Sequence, residues 1–224
     1  MKKAPKEPAL DAFDARFARA QTEWALWVNI TSERKSKPTS IFRARIKQLL
    51  EFDRSEPTRR GVPYSGMAFS DQRSEGSGDH SFFSVYDALF LRLGLGLLDC
   101  GFKRKEVVLL LRDLRGPLRK QIGKVINDRA AAFSASVPLF RDYDPLEANR
   151  RVVLVLPRVE AAADYIDEGD ARVHICTGME RLKDAVEEHL LEKLVLLDVG
   201  LAAYTLPSLL LNAPASQRLR KPKA

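Results

Sequence analysis

The chain has 224 residues, 45% of them hydrophobic, with a net charge of +7 and two cysteines. That is enough apolar material for one larger or two small cored domains. It contains no apolar run near the ~18 residues that a membrane span requires. The first residues, MKKAPKEPALDAFDARF, carry charge but no apolar centre, so they do not read as a secretory signal. Cys100 and Cys176 sit in apolar contexts and read as reduced core thiols, which points to a cytoplasmic protein.

Charge is distributed unevenly. Residues 1–136 hold 25 Lys+Arg against 16 Asp+Glu, residues 137–217 hold 8 against 14, and residues 218–224 add four cations. A basic first part attracts a phosphate backbone, whereas an acidic second part repels it. The expected organisation is therefore a helical domain over 1–136, a small α/β domain over 137–217 and a basic tail over 218–224. The expected fold class is α+β.

In chain order, Leu10, Phe13, Phe17, Trp24, Leu26, Trp27 and Ile30 recur with a loose helical period, predicting an amphipathic helix over 9–30. Residues 32–40 read as a polar, basic connection containing Pro38. Thr39 or Ser40 can cap a second helix, Ile41 to Phe52, with Ile46, Leu49 and Leu50 facing inward and Arg43, Arg45 and Lys47 on or near the outer side. Val62–Phe69 and Phe82–Val85 read as extended pieces on either side of Gly76-Ser77-Gly78, a pattern that fits a two-stranded wing or a plain surface loop. Arg59, Arg60 and Arg73 would reach phosphates from such a wing.

The most specific stretch is 83–111. Ser84 and Asp87 have the spacing of a capping box, only Arg92 is charged between Ala88 and Leu98, and Gly101-Phe102 can close the helix. Lys103, Arg104 and Lys105 then open another helix whose Val107, Val108, Leu110 and Leu111 return to the core. Leu114 to Ala132 follows as a basic helix with Pro117 near its start and Arg115, Arg119, Lys120 and Lys124 along it.

An aromatic at Phe83, Asp87 four residues on, Leu91 at plus eight, Gly101-Phe102 fourteen residues after the Asp, and Glu106-Val107 together resemble the back half of the winged-helix domain of MerR-type transcriptional regulators. The resemblance covers residues 83–111 only. Upstream, Asp79-His80-Ser81-Phe82-Phe83 keeps the aromatic of the family's wing but not its phosphate-contacting Arg, which cannot be carried over to Ser81. The family's long dimerising coiled coil is not evident downstream. The resemblance implies a bacterial-type, sequence-specific regulator of transcription that binds double-stranded DNA, and a buried helical hairpin with a Gly turn accounts for the same residues. Candidate DNA contacts are Arg43, Arg45, Lys47, Arg59, Arg60, Arg73, Lys103, Arg104 and Lys105.

In the second part, Val152–Leu156, Arg172–Cys176 and Leu194–Val199 read as strands. Thr177, with Glu180 three residues later, predicts a capped helix Met179–Leu191 joining the last two strands as a parallel, right-handed βαβ unit. Leu201–Asn212 reads as a short helix or extended segment interrupted at Pro207. Leu206, Leu209, Leu210 and Leu211, with an uncovered sheet edge, predict self-association as a homodimer.

The chemistry of catalysis is thin. His174 and Cys176 share a strand face but lack the partners of a tetrahedral metal site, and both are expected to pack in the core. Asp142 and Asp144 could form a carboxylate pair, but Asp144 before Pro145 reads better as a helix cap, and Gly94 and Gly96 read as close-packing positions rather than a phosphate loop. No nucleophile or nucleotide motif is present, so neither an enzyme, a cofactor nor a metal is expected. A protein-interaction module and an RNA-binding protein are the other classes that fit the same charge and apolar pattern.

Overall fold

The computed structural model describes residues 15–55, 66–70, 82–130, 152–158, 173–189 and 193–214. Among them the chain is α+β, with helices α1 (Arg19–Thr31), α2 (Ser40–Ser55), α3 (Val85–Asp99), α4 (Arg104–Ala130), α5 (Met179–Glu188) and α6 (Val199–Leu211). Strands β1 (Phe17–Ala18) and β2 (Phe82–Phe83) form one short ribbon, and β3 (Val152–Arg158), β4 (His174–Thr177) and β5 (Lys193–Asp198) form a sheet.

Helix ends follow local side-chain chemistry. Gln21 Oε1 accepts the Ala18 N–H at 3.0 Å, and Thr39 Oγ1 accepts the Phe42 N–H at 3.2 Å, so Thr39 rather than Ser40 caps α2. The expected capping box is present on α3: Ser84 Oγ accepts from Asp87 N at 3.1 Å and Asp87 Oδ2 accepts from Ser84 N at 2.9 Å. At its other end the Phe102 N–H reaches Leu97 O and the Gly101 N–H reaches Leu98 O, the pair of bonds of a Schellman turn. Gly101 sits at φ 86°, where a Cβ is strained, so the glycine is required there.

Several expectations are corrected. The first helix begins at Arg19, because Phe17–Ala18 is extended and pairs antiparallel with Phe82–Phe83. Among the described residues, the ladder partner of the expected second wing strand is therefore the N-terminal segment; 62–65 lie outside the described residues. Residues 56–65 and 71–81, with Arg59, Arg60, Arg73 and the Gly76-Ser77-Gly78 tip, lie outside the described residues. The basic helix expected from Leu114 is continuous with the one opened by Lys103–Lys105: α4 is a single helix of 27 residues with Pro117 inside it. Pro117 is exposed, so the carbonyl deprived of its i+4 donor can face water, which limits the cost.

Strand order in the sheet is β4-β3-β5, and both outer strands run antiparallel to β3. β4 and β5 are thus parallel to each other, as expected for the strands flanking α5, but β3 lies between them and every hydrogen-bonded pair is antiparallel. Helix α5 is shorter than expected, and its N-cap is Gly178 at φ 87° without a side-chain cap; Thr177 Oγ1 instead accepts from Arg181 Nη1 at 3.4 Å. α6 is a continuous helix through Pro207, capped by Asp198 Oδ1 on the Leu201 N–H at 2.9 Å.

One apolar core runs through the residues expected in both domains. Val152, Leu154 and Leu156 on one face of β3 join Leu206, Leu209 and Leu210 of α6 and the inward residues of α1–α4. The opposite face, Val153, Val155 and Cys176, is covered by Ala185 and Leu182 of α5. A strand covered on both faces reads as an unbroken apolar run, which is the VVLVL pattern. Three of the four leucines expected to drive self-association are spent on this intramolecular packing, and only Leu211 is exposed, at 49%.

Inside the helical body two carboxylates are fully buried. Asp53, at the end of α2, accepts from Arg112 Nε at 2.8 Å and from the backbone N–H groups of Ala68 and Phe69 at 3.0 and 3.1 Å. Arg112 also donates to the Asp53 carbonyl. Asp87, besides capping α3, accepts from Arg115, which donates in addition to the Ala68 carbonyl. Arg16 approaches the other oxygen of Asp87 at 3.4 Å. Removing one member of a buried pair leaves an uncompensated charge, at a cost of about 3–5 kcal/mol. Asp53→Ala is therefore expected to lower the unfolding free energy by about that amount, read from the urea midpoint. A reduction no larger than that of a surface substitution would show that the pair does not hold α2 to α4.

Candidate functional site

The nine cations expected to contact DNA separate into three groups. Arg43, Arg45 and Lys47 lie on the outer side of α2, but each has a carboxylate partner: Arg43 Nε is 3.7 Å from Glu23, Arg45 Nη2 2.6 Å from Asp99, and Lys47 Nζ 3.5 Å from Glu51. Arg45 also donates to the Leu95 carbonyl at 3.4 Å, which joins α2 to the end of α3. Arg59, Arg60 and Arg73 lie outside the described residues. Lys103, Arg104 and Lys105 are exposed, and their side chains have no acidic partner among the described residues. Glu106, the nearest acid in sequence, turns its Oε2 back onto the Lys103 N–H at 2.8 Å and caps the helix.

The basic face expected along α4 is partly an inward face. Leu111, Arg112, Arg115, Leu118 and Ile122 share one side of the helix, and Arg112 and Arg115 are consumed by Asp53 and Asp87. Arg115 also lies 5.1 Å from the Phe90 ring, and Arg119 lies 4.7 Å from the ring of Tyr86. Burial raises the Tyr86 phenol above its usual range, against the opposing pull of Arg119.

Arg92, alone in its apolar helix, is held across three helices. Its Nε donates to Asn29 Oδ1 at 2.8 Å, and Asn29 Nδ2 donates to Thr205 Oγ1 at 2.7 Å. Burial pushes its guanidinium down from the usual arginine range while Asp99 acts to raise it. Gly94 and Gly96 serve close packing: a Cβ at 94 would stand 3.1 Å from the Phe69 ring, and one at 96 would stand 3.3 Å from Arg92 and 3.6 Å from Leu197 of β5.

In the sheet, His174 meets a residue that sequence reading did not join to it. His174 Nε2 and His189 Nε2 are 3.0 Å apart, with Glu188 Oε2 3.9 Å from His174. His189 is 1% exposed, whereas the His174 side chain retains 30% of its exposure and so is not a core residue. The missed signal is one of phase. His174 lies on the face of β4 that α5 covers, and His189 directly follows the last turn of that helix. Cys176, on the same strand face, is buried in the second core cluster, as expected.

Comparison with family models, with curated proteins and with solved structures gives no match. The reading of function therefore rests on the geometry of this chain.

Burial raises the Cys176 thiol above its usual range, with Arg181 opposing and Asp184 reinforcing the effect. Reactivity follows the thiolate and its exposure. A thiol reagent at neutral pH is accordingly expected to label Cys100, which is half-buried, well before Cys176, which should react only as the chain unfolds. Mass mapping of the labelled residues checks the order, and equal rates at the two would contradict it.

Proposed function

We propose that this chain is a DNA-binding regulator of transcription whose main phosphate contact is the corner between α3 and α4. The observation that carries the reading is the start of α4, where Lys103, Arg104 and Lys105 are consecutive, exposed and unpaired among the described residues. The helix macrodipole is positive at that end, so each cation there acts against stability by about 0.3–1 kcal/mol. A bound phosphate reverses the sign, because the three side chains and the helix end then face one negative charge. The excess of cations over residues 1–136 adds the longer-range attraction that steers a polyanion to this side. The MerR-like reading draws support from local geometry alone, through the Ser84–Asp87 box and the Gly101–Phe102 turn.

Replacing Lys103, Arg104 and Lys105 together with Ala is expected to weaken binding to duplex DNA and to flatten the log-affinity against log-salt slope by about 0.9 for each phosphate that is no longer neutralised. Thermal stability should hold or rise slightly. Fluorescence anisotropy over a salt series, on duplex DNA and RNA in parallel, decides the matter. Unchanged DNA affinity would refute the corner as the contact, and equal binding to both nucleic acids would favour the RNA-binding class.

A homodimer of this chain would meet at β5 rather than at the leucines of α6. That strand is an outer one among the described residues, Leu196 on it is 51% exposed, and α5 packs on β4 and β3. Strand edges of this kind are covered by charge, by a layer or by pairing. Leu196→Lys is then expected to shift the full chain from dimer to monomer in light scattering, and a wild-type monomer at micromolar concentration, free and on DNA, would remove the dimer from the reading.

A further inference from the structure

The geometry points to a binding site for a divalent transition-metal ion at His174, His189 and Glu188, where the start of β4 meets the end of α5. Two imidazole nitrogens and a carboxylate oxygen from these residues all lie within 4.8 Å of one another. At metal–ligand distances of ~2.0–2.1 Å, ligand atoms around a tetrahedral ion stand ~3.3 Å apart. The observed separations of 3.0 Å between the two Nε2 atoms and 3.9 Å from His174 Nε2 to Glu188 Oε2 fall on either side of that spacing. All three atoms lie within 4.8 Å of one another, so seating them on one ion requires the exposed Glu188 side chain to swing inward by a change of rotamer.

A mutual hydrogen bond is the other use of the two rings, one Nε2–H donating to the lone pair of its neighbour. That arrangement engages only the two rings, with Glu188 3.9 Å away, beyond a hydrogen bond and in ion-pair range only of a protonated His174. A shared cation uses all three donors. The supports are rigid. His174 is fixed by the ladder pair Val155↔His174, and α5 is pinned over the sheet by Leu182 and Ala185, with His189 buried immediately after it. Access is open on the other side, where His174 and Glu188 retain 30% and 58% of their side-chain exposure. Three protein ligands with an accessible fourth position is a common arrangement for Zn²⁺.

Two nitrogens and one oxygen suit Zn²⁺ and its first-row neighbours rather than Mg²⁺ or Ca²⁺, which take oxygen ligands. Cys176 shares the strand face but is not among the groups whose ligand atoms converge, and it packs with Val153, Val155 and Ala185 instead. An ion here would clip α5 to β4 and stabilise the folded chain by mass action. The inference does not depend on the phosphate-binding reading, since the two sites share no residue.

The test is a calorimetric titration of Zn²⁺ into the full-length, chelator-treated chain, repeated with Co²⁺ so that visible d–d absorption reports the ligand field. The expected result is saturable binding of one ion per chain and a rise in melting temperature with added Zn²⁺. His174→Ala should weaken binding by more than the about 10–100-fold that follows removal of a mere hydrogen-bond partner of a ligand. Glu188→Gln, at an exposed position that leaves the fold alone, should weaken it by at least about tenfold and alter the Co²⁺ spectrum. Absence of saturable Zn²⁺ binding by the wild-type chain, or unchanged affinity in either variant, overturns the site.

Discussion

The helical body depends on the burial of Asp53. A carboxylate removed from water carries a desolvation penalty of several kcal/mol unless its lone pairs are filled. Here they are filled by Arg112 and by two successive backbone amides, those of Ala68 and Phe69. Those amides belong to a segment with no helix or strand of its own, so the carboxylate fixes the course of the chain there. Arg115, one turn beyond Arg112, takes the Ala68 carbonyl and passes the constraint to Asp87. The segment is thereby held from both sides, and the same interaction orients the cap that starts α3. Phe69, fixed at its own amide, is completely buried against Gly94 of α3, where the ring leaves little room for a Cβ. The glycine in the middle of an otherwise apolar helix is thus a consequence of an acid on a different helix.

The sheet is tied to this body by a different balance of forces. α6 delivers Leu206, Leu209 and Leu210 into the shared core, and β5 comes close enough to α3 for Leu197 to lie over Gly96. The polar exception is the chain Arg92–Asn29–Thr205, which satisfies a half-buried guanidinium with neutral partners from α1 and α6. A charge solvated by dipoles in this way costs less than one left bare, and it sets the helices' relative rotation more sharply than leucine contacts do. Apolar burial supplies the adhesion and the polar chain supplies the register.

How much of this was legible in the sequence depended on whether the signal was local. The cap and the closing turn of α3 were readable because their donors and acceptors lie within a few residues, Ser84 with Asp87 and Gly101 with Phe102, whereas Thr177 misled because Gly178 takes the cap position of α5. The strands of the sheet were readable for a related reason, since short apolar runs mark them and burial on both faces makes β3 an unbroken one. Strand pairing was not, because nothing local to β4 and β5 reveals that β3 inserts between them. The ion pairs were half visible. Arg112 and Arg115 lie on the same side of α4 as Leu111, Leu118 and Ile122, and a cation on an inward stripe demands a buried partner. The identity of that partner, 59 residues away for Arg112, is a property of the fold. The histidine pair failed for the same reason, across a 15-residue separation that a helix spans.

Charge counting suffers most from this distinction between local and folded information. The basic excess of the N-terminal part treats every Lys and Arg as available to a ligand, yet Arg112 and Arg115 are sealed inside, Arg92 is held by Asn29, and the α2 cations face carboxylates of their own chain. A phosphate competing for Arg45 would have to break its contact with Asp99, and one competing for Lys47 would meet Glu51 nearby. Lys103, Arg104 and Lys105 present no such competitor among the described residues. They are also adjacent, so a single phosphate can be approached by more than one of them, and their charge adds to the positive end of α4 rather than to a neutralised surface. Among the described residues, the α3–α4 corner therefore differs from the α2 face and the inward side of α4 in lacking internal neutralisation, a quantity that composition cannot express and that only the packed arrangement of acids and bases defines.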